Sequence, residues 1–290
     1  MKVSGFTFIR NGIKLDYPIE EAIRSILPLC DEVVVAVGNS EDDTLKLIQN
    51  IDPKVRIIET VWDDSLREGG AVLAIETDKA FKALAKDSDW AIYIQGDEVM
   101  HEGYYDTIRH AMQQYAQDES VDGLLFNYRH FYGSYDYIGD AIQWYPKEIR
   151  IVKNRSDIYS FGDAQGFKKG TGEKLNVAEI EAYIHHYGWV KSPEAMQRKQ
   201  ESFHKLWHDD NWVEKNIVKA EEFDYSEVKA LWKFDGEHPS VMQNRIATKG
   251  WKFDHDISRN TFSFKEKVKK WAQKITRKPL GEYQNYIVVK

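Results

Sequence analysis

Between Asp89 and Glu102 the chain reads DWAIYIQGDEVMHE, an apolar run that meets Gly96 and then gathers Asp97, Glu98, His101 and Glu102. Carboxylates placed this way have two uses. As hard oxygen donors, Asp97 and Glu98 suit Mg²⁺ or Mn²⁺ and, through the ion, a phosphate. Gly96 then removes a side chain where a ligand must come close. As caps, the same carboxylates would favour the N-terminus of the helical segment HEGYYDTIRHAMQQYA. A second acidic segment, GNSEDDT from Gly38 to Thr44, also follows an apolar run and precedes a helical pattern, with Ser40 or Asp42 as its cap. Its small residues would admit a ribose and base, and its acids would accept ribose hydroxyls or hold a metal ion.

Both segments need a scaffold that delivers them to one edge. The runs KVSGFTFI, EVVVAVG, VRIIETV, WAIYIQ and GLLFNY predict strands. Helical spacing between them puts Ile19, Ile23, Ile26 and Leu27 on one face, and Leu73, Thr77, Phe81 and Leu84 on another. Strands of nearly continuous apolar character alternating with helices imply a doubly wound, mostly parallel α/β sheet with helices on both faces, over residues 1–125. In such a sheet ligands bind beyond the carboxyl ends of the strands, where QGDE and GNSEDDT both fall. After Gly123 the segments NYRHFYGSYDYIGDAIQWYPKE and SFGDAQGFKKGTGEKL are irregular and rich in aromatics and glycine. They predict binding-surface loops in a C-terminal half, residues 126–290, of the same domain.

Composition narrows the function. With 42% apolar and 13% aromatic residues in 290, the chain can bury a sizeable core, and its net charge of −7 argues against a general nucleic-acid binder. A lone cysteine, Cys30 in ILPLC, gives neither a disulfide nor a thiolate metal cage and predicts a packed thiol. The opening MKVSGFTFIRNG has the pattern of neither a secretion signal nor a span, and no run approaches about 18 apolar residues. The expectation is a cytoplasmic protein. Near the end, FSFKEKVKKWAQKITRK spaces Phe264, Val268, Trp271 and Ile275 helically among lysines. Such a helix either lies on anionic lipid at the inner face of a membrane or docks on the domain.

The order FIRNG, VVVAVGNSEDDT, a Gly-Gly before a helix, WAIYIQGDE and HHYGWV resembles the family-2 glycosyltransferases of the GT-A nucleotide-diphospho-sugar transferase fold, over most of the chain. The resemblance implies an enzyme of hexosyltransferase type. It would move a sugar, with inversion, from a UDP- or GDP-sugar to a hydroxyl of a glycan or lipid-linked acceptor, using Mn²⁺ or Mg²⁺. It places Asn11, Gly38, Ser40, Asp42, Gln95 and Lys199 against the donor, with Asp97 and His186 on the metal. Three positions depart from the family pattern. Gly38 stands where an acid is common, Gln95 replaces the first aspartate of an Asp-x-Asp signature, and RNG replaces Arg-Asn-Glu.

His186 is preferred to His185 because alternation along EAYIHHY separates their faces and the resemblance aligns the histidine directly before Tyr-Gly. Lys191, Arg198 and Lys199 follow, either facing departing phosphate or forming a solvated basic face. Inverting transfer also needs a carboxylate to take the acceptor proton. Asp163 in SFGDAQGF lies where the family's acceptor-side acid often falls, with Asp136 and Asp140 as rivals and a turn-forming role open for each. Tyr132, Tyr135, Tyr137, Trp144 and Trp189 either stack on sugars or form core. His208, Asp209 and Asp210 are expected at a helix terminus. Two rival functions are carried beside the main one: a sugar nucleotidyltransferase, whose Gly-rich basic loop FIRNGIKLDYP lacks, and a non-catalytic nucleotide- or glycan-binding protein.

Overall fold

Strand β1 (Val3–Ile9) is followed by α1 (Ile19–Ile26), β2 (Glu32–Gly38), α2 (Thr44–Gln49), β3 (Val55–Thr60), α3 (Ala71–Lys82) and β4 (Trp90–Tyr93). This first part alternates strand and helix, as the sequence pattern predicts. The short β5 (Glu98–Met100) and α4 (Tyr105–Gln114) lead into β6 (Gly123–Tyr132), β7 (Tyr137–Gly139), β8 (Lys147–Lys153), β9 (Ile158–Phe161), β10 (Gly166–Lys169) and β11 (Glu173–Trp189). Helices α5 (Pro193–His204) and α6 (Asp210–Asn216), strand β12 (Leu231–Lys233), helix α7 (Gln243–Ala247) and strand β13 (Tyr286–Val288) follow among the described residues. The computed structural model describes residues 1–139, 144–217, 219–228, 230–262, 267–268 and 284–289. Most of the basic segment that carries Phe264, Trp271 and Ile275 lies outside them, as does Asp140.

The sheet runs β3-β2-β1-β4-β8-β6-β11-β10-β9. Its first four strands are parallel, β8 is wedged antiparallel between β4 and β6, and β6 pairs parallel with β11. The expected doubly wound sheet with helices on both faces is therefore present. Alternation along β2 shows why the strand runs are continuously apolar: Val33, Val35 and Val37 join the cluster that contains Ile19, Ile23 and Ile26, while Val34 and Ala36 join the one built on Phe6, Val72 and Phe81. Leu73, Thr77, Phe81 and Leu84 are all buried, as their spacing predicts.

The C-terminal half connects its elements irregularly, yet it carries the two longest strands, β6 and β11. β6 begins with the predicted run GLLFNY and is largely buried, while β11 alternates buried Ala178, Ile180 and Ala182 with exposed Glu179 and Glu181 before it becomes buried on both faces. Cys30 is buried and its thiol is pushed far up by desolvation, as a packed cysteine requires. No helix among the described residues is long and apolar enough to cross a membrane.

Candidate active site

Three strands assemble the centre of the site. The antiparallel pairing of β5 on β11 sets Glu98 opposite His186, and the parallel pairing of β6 on the other edge of β11 sets His130 opposite the same residue. The Asp97 carbonyl accepts a bond from Tyr187 N at 2.7 Å, which fixes the turn before β5 against β11. Glu98 does not face a ligand. It is fully buried, accepts two bonds from Arg150 (2.7 and 2.8 Å) and one from the Tyr128 hydroxyl (2.7 Å), and also takes Gln95 N at 3.1 Å. Arg150 in turn donates to Gln165 O at 2.8 Å, so one buried ion pair ties the QGDE turn to the loop that carries Asp163. Neither Asp97 nor Glu98 caps the following helix; His101 caps the 3₁₀ turn Glu102–Tyr104 that leads into α4, its Nδ1 accepting from Gly103 N.

These elements border a cavity of about 940 Å³ beyond the carboxyl ends of β1 and β4. Asn11, Gln95, Asp97, Asp163, His186 and Lys199 all line it, with Trp144 and Trp189 on its C-terminal side. Ser192 caps α5 by accepting from Ala195 N, Pro193 opens the helix, and the helix delivers Lys199 to the floor. There Lys199 Nζ donates to Asp97 Oδ2 at 3.2 Å and to Gly188 O at 2.9 Å. Lys191 is fully buried beside it, donating to Asp16 O, and both ammonium groups stand over the Tyr17 ring.

The charges are coupled. Burial alone would raise the Asp97 carboxyl, but the Lys199 ammonium, with Lys191 behind it, holds it well below the usual carboxylate range. Burial and the neighbouring Lys199 lower Lys191 to about 7. Burial also raises Asp163, against bonds from backbone N–H groups. That shift is in the direction a general base needs.

His186 Nε2 lies 3.7 Å from Asp97 Oδ2, outside hydrogen-bond distance. Space for a bridging group is built in, because a Cβ on Gly188 would sit 2.6 Å from Asp97 Oδ2 and 2.7 Å from His186 Nε2. Among the described residues no group of three or more His, Cys, Asp and Glu is arranged around an ion. A carboxylate and an imidazole flanking an open cradle nevertheless fit a divalent cation that draws its remaining ligands from substrate phosphates and water.

The other expected residues fall elsewhere. Ser40 Oγ accepts from Asn11 N and donates to Gly38 O, while Asp42 accepts from the backbone of Lys14 and Thr44. These bonds knit the FIRNG loop to the GNSEDDT loop. Gly38, Ser40 and Asp42 line a separate shallow depression, and Gly38 is needed where the Trp62 ring would lie 2.4 Å from a Cβ. His185 is on the opposite face of β11, buried, with Nε2 accepting from Arg129 at 3.1 Å. Tyr132, Tyr135 and Tyr137 are core, and Asp136 is on the surface beside Lys249. Asp209 caps α6 through Trp212 N.

One residue of the centre has no counterpart in the sequence reading. His130 is buried, with Nδ1 at 3.1 Å from His186 Nδ1 and Nε2 at 2.7 Å from Tyr145 O, and burial with the adjacent His186 pushes its pKa down to about 3.

Fold and site together define an α/β protein with an acid, an imidazole and an ammonium gathered at the strand ends of its parallel half. No family model and no curated protein matches the chain. Among solved structures, part of the chain is similar to S. aureus TarS 1-349 in complex with UDP-GlcNAc, at 14% identity, with 76% of this chain and 68% of that chain covered and a TM-score of 0.41. The match covers 41% of a longer TarS structure. Part is also similar to glucosyl-3-phosphoglycerate synthase from Mycobacterium tuberculosis in complex with Mn²⁺, UDP and glucosyl-3-phosphoglycerate, at 19% identity over 45% of this chain and 44% of that one, with a TM-score of 0.30. A third similarity, to 4-diphosphocytidyl-2C-methyl-D-erythritol synthase from Anaerococcus prevotii, has 11% identity, covers 66% of this chain and 89% of that one, and scores 0.37.

Proposed function

We propose that the chain is a GT-A-type glycosyltransferase of the hexosyltransferase kind, moving a sugar from a UDP- or GDP-sugar to a hydroxyl of a glycan or lipid-linked acceptor with inversion. The observation that carries this reading is the convergence of Asp97, His186 and Lys199 with Asp163 on one cavity beyond the strand ends. In this reading residues 1–125 bind the donor and residues 126–290 form the acceptor side. Lys199 meets the donor diphosphate as its negative charge grows during bond cleavage, while Asn11 and Gln95 border the donor. Asp97 and His186 would hold a Mn²⁺ or Mg²⁺ ion, which when bound supplies charge neutralisation to the leaving diphosphate. Asp163, made more basic by burial, takes the proton of the attacking hydroxyl, and Trp144 and Trp189 offer faces to a sugar ring.

The test is a panel of UDP-, GDP- and dTDP-sugars with Mn²⁺, Mg²⁺ or EDTA, read by thermal shift and by donor hydrolysis. At least one donor should stabilise the protein and be turned over, and Asp97→Asn should remove the cation-dependent part of that stabilisation. Failure of every donor to bind or turn over would overturn the reading; binding without turnover would favour a non-catalytic role.

A further inference from the structure

His130 borders the same cavity with both ring nitrogens committed, and this constrains His186. Its Nε2 is 2.7 Å from Tyr145 O. A carbonyl oxygen only accepts, so that nitrogen carries a hydrogen. The ring is 4% exposed, stacked against Trp144 and Tyr128, with the Tyr145 ring edge-on. Among the described residues no carboxylate comes within ion-pair distance of it, so nothing compensates a charge there and the ring is neutral. A neutral imidazole has one N–H. With that hydrogen on Nε2, the Nδ1 of His130 is a lone pair, and the 3.1 Å contact between the two Nδ1 atoms takes its hydrogen from His186.

In a neutral His186 ring the other nitrogen is then bare. Its Nε2 lone pair stands 3.7 Å from a carboxylate oxygen, across the space that Gly188 leaves free of a Cβ. Two acceptors facing each other repel unless something positive lies between them.

We propose that His130 is a positioning residue: anchored on the Tyr145 carbonyl, it holds His186 in the Nδ1–H tautomer and so makes His186 Nε2 and Asp97 the two protein donors of a cation site. The identity of the ion's other partner, a nucleotide diphosphate, rests on the proposed function; the tautomer does not. A partner that fixes the ring of a ligating histidine is expected to affect metal affinity by about 10- to 100-fold when removed.

The experiment uses the full chain, treated with EDTA, with ¹⁵N-labelled histidine at neutral pH. Long-range ¹H–¹⁵N correlation distinguishes the two tautomers and the imidazolium, and His186→Asn identifies the signals of His186. The expected result is a protonated Nδ1 and an unprotonated Nε2 on His186. In His130→Phe the population should move toward Nε2–H, and Mn²⁺ binding followed by electron paramagnetic resonance, with and without UDP, should weaken by about 10- to 100-fold. His130→Gln, whose amide oxygen can still accept from Nδ1–H, should retain the wild-type tautomer and keeps the test open if the phenylalanine variant does not fold. A wild-type His186 that carries hydrogen on Nε2, or a His130→Phe spectrum with the tautomer unchanged, would overturn the proposal. Turnover of a nucleotide sugar alongside such a spectrum would sink this inference alone, whereas the stated tautomer and Mn²⁺ binding without any turnover would leave it standing and sink the proposed function.

Discussion

Replacing Gly188 by alanine should abolish cation-dependent nucleotide binding while leaving the fold in place. Gly188 is not among the glycines with positive φ, so the backbone accepts a side chain without strain. The three atoms nearest the new Cβ would all be side-chain atoms: Asp97 Oδ2 at 2.6 Å, His186 Nε2 at 2.7 Å and His186 Cε1 at 2.8 Å. To reach ordinary contact at 3.4 Å the two donors must each retreat by about 0.7 to 0.8 Å. Neither is free to do so, because Lys199 holds the carboxylate and His130 holds the ring. The methyl group also fills the place between the donors that a cation needs. We expect UDP affinity in the presence of Mn²⁺ to fall by about 100-fold, or ~2.7 kcal/mol, and the melting temperature to fall by several degrees with folding still cooperative, since overpacking costs about 1 to 3 kcal/mol. Isothermal titration of UDP into both proteins, with Mn²⁺ and with EDTA, separates the two effects. The EDTA arms should agree. Equal affinities in the Mn²⁺ arms would refute the reasoning, since they would place any bound cation away from the cradle.

Three other outcomes are expected. Asp163→Asn should lower transfer by a factor of about 10² or more while donor binding, measured on the same sample, is nearly unchanged; retained transfer would make Asp163 a turn residue. Glu98→Gln should destabilise the protein by about 3 to 5 kcal/mol in chemical denaturation, because it leaves the fully buried Arg150 without its counter-charge, and a loss under 1 kcal/mol would contradict that account. Lys191 loses its proton near pH 7 in the folded chain and near the ordinary 10.5 in the unfolded one. Between those values the unfolded state binds more protons, so stability gains up to about 1.4 kcal/mol per pH unit from this group as pH rises. The pH profile of Lys191→Met should therefore be flatter than wild type from pH 7.5 to 10, and parallel profiles would count against it.

The periodicity of 1–125 was enough to specify alternating strands and helices there, because burial of β2 on both faces and of one stripe on α1 and α3 leaves a direct mark on residue type. It also placed the acids at strand ends, since a turn signal such as Gly96 marks where a strand stops. What each acid does was not legible. Asp97 and Glu98 are adjacent and chemically alike, yet one borders the cavity and the other pairs with Arg150, 52 residues away. The same limit hid what GNSEDDT does, where Ser40 and Thr44 accept bonds from Asn11 N and Gly12 N while Glu41 borders the cavity. Alternation separated His185 from His186, but nothing local distinguishes His130 from any other aromatic of a buried strand. Its role exists only because β6 pairs with β11 in a register that sets it opposite His186, 56 residues along the chain. Gly188 is similar: the need for a missing Cβ arises from two side chains that approach it in space. Local pattern thus determined which residues could do chemistry, and strand register decided which of them meet, because pairing across a sheet depends on the whole set of buried contacts rather than on the residues beside it.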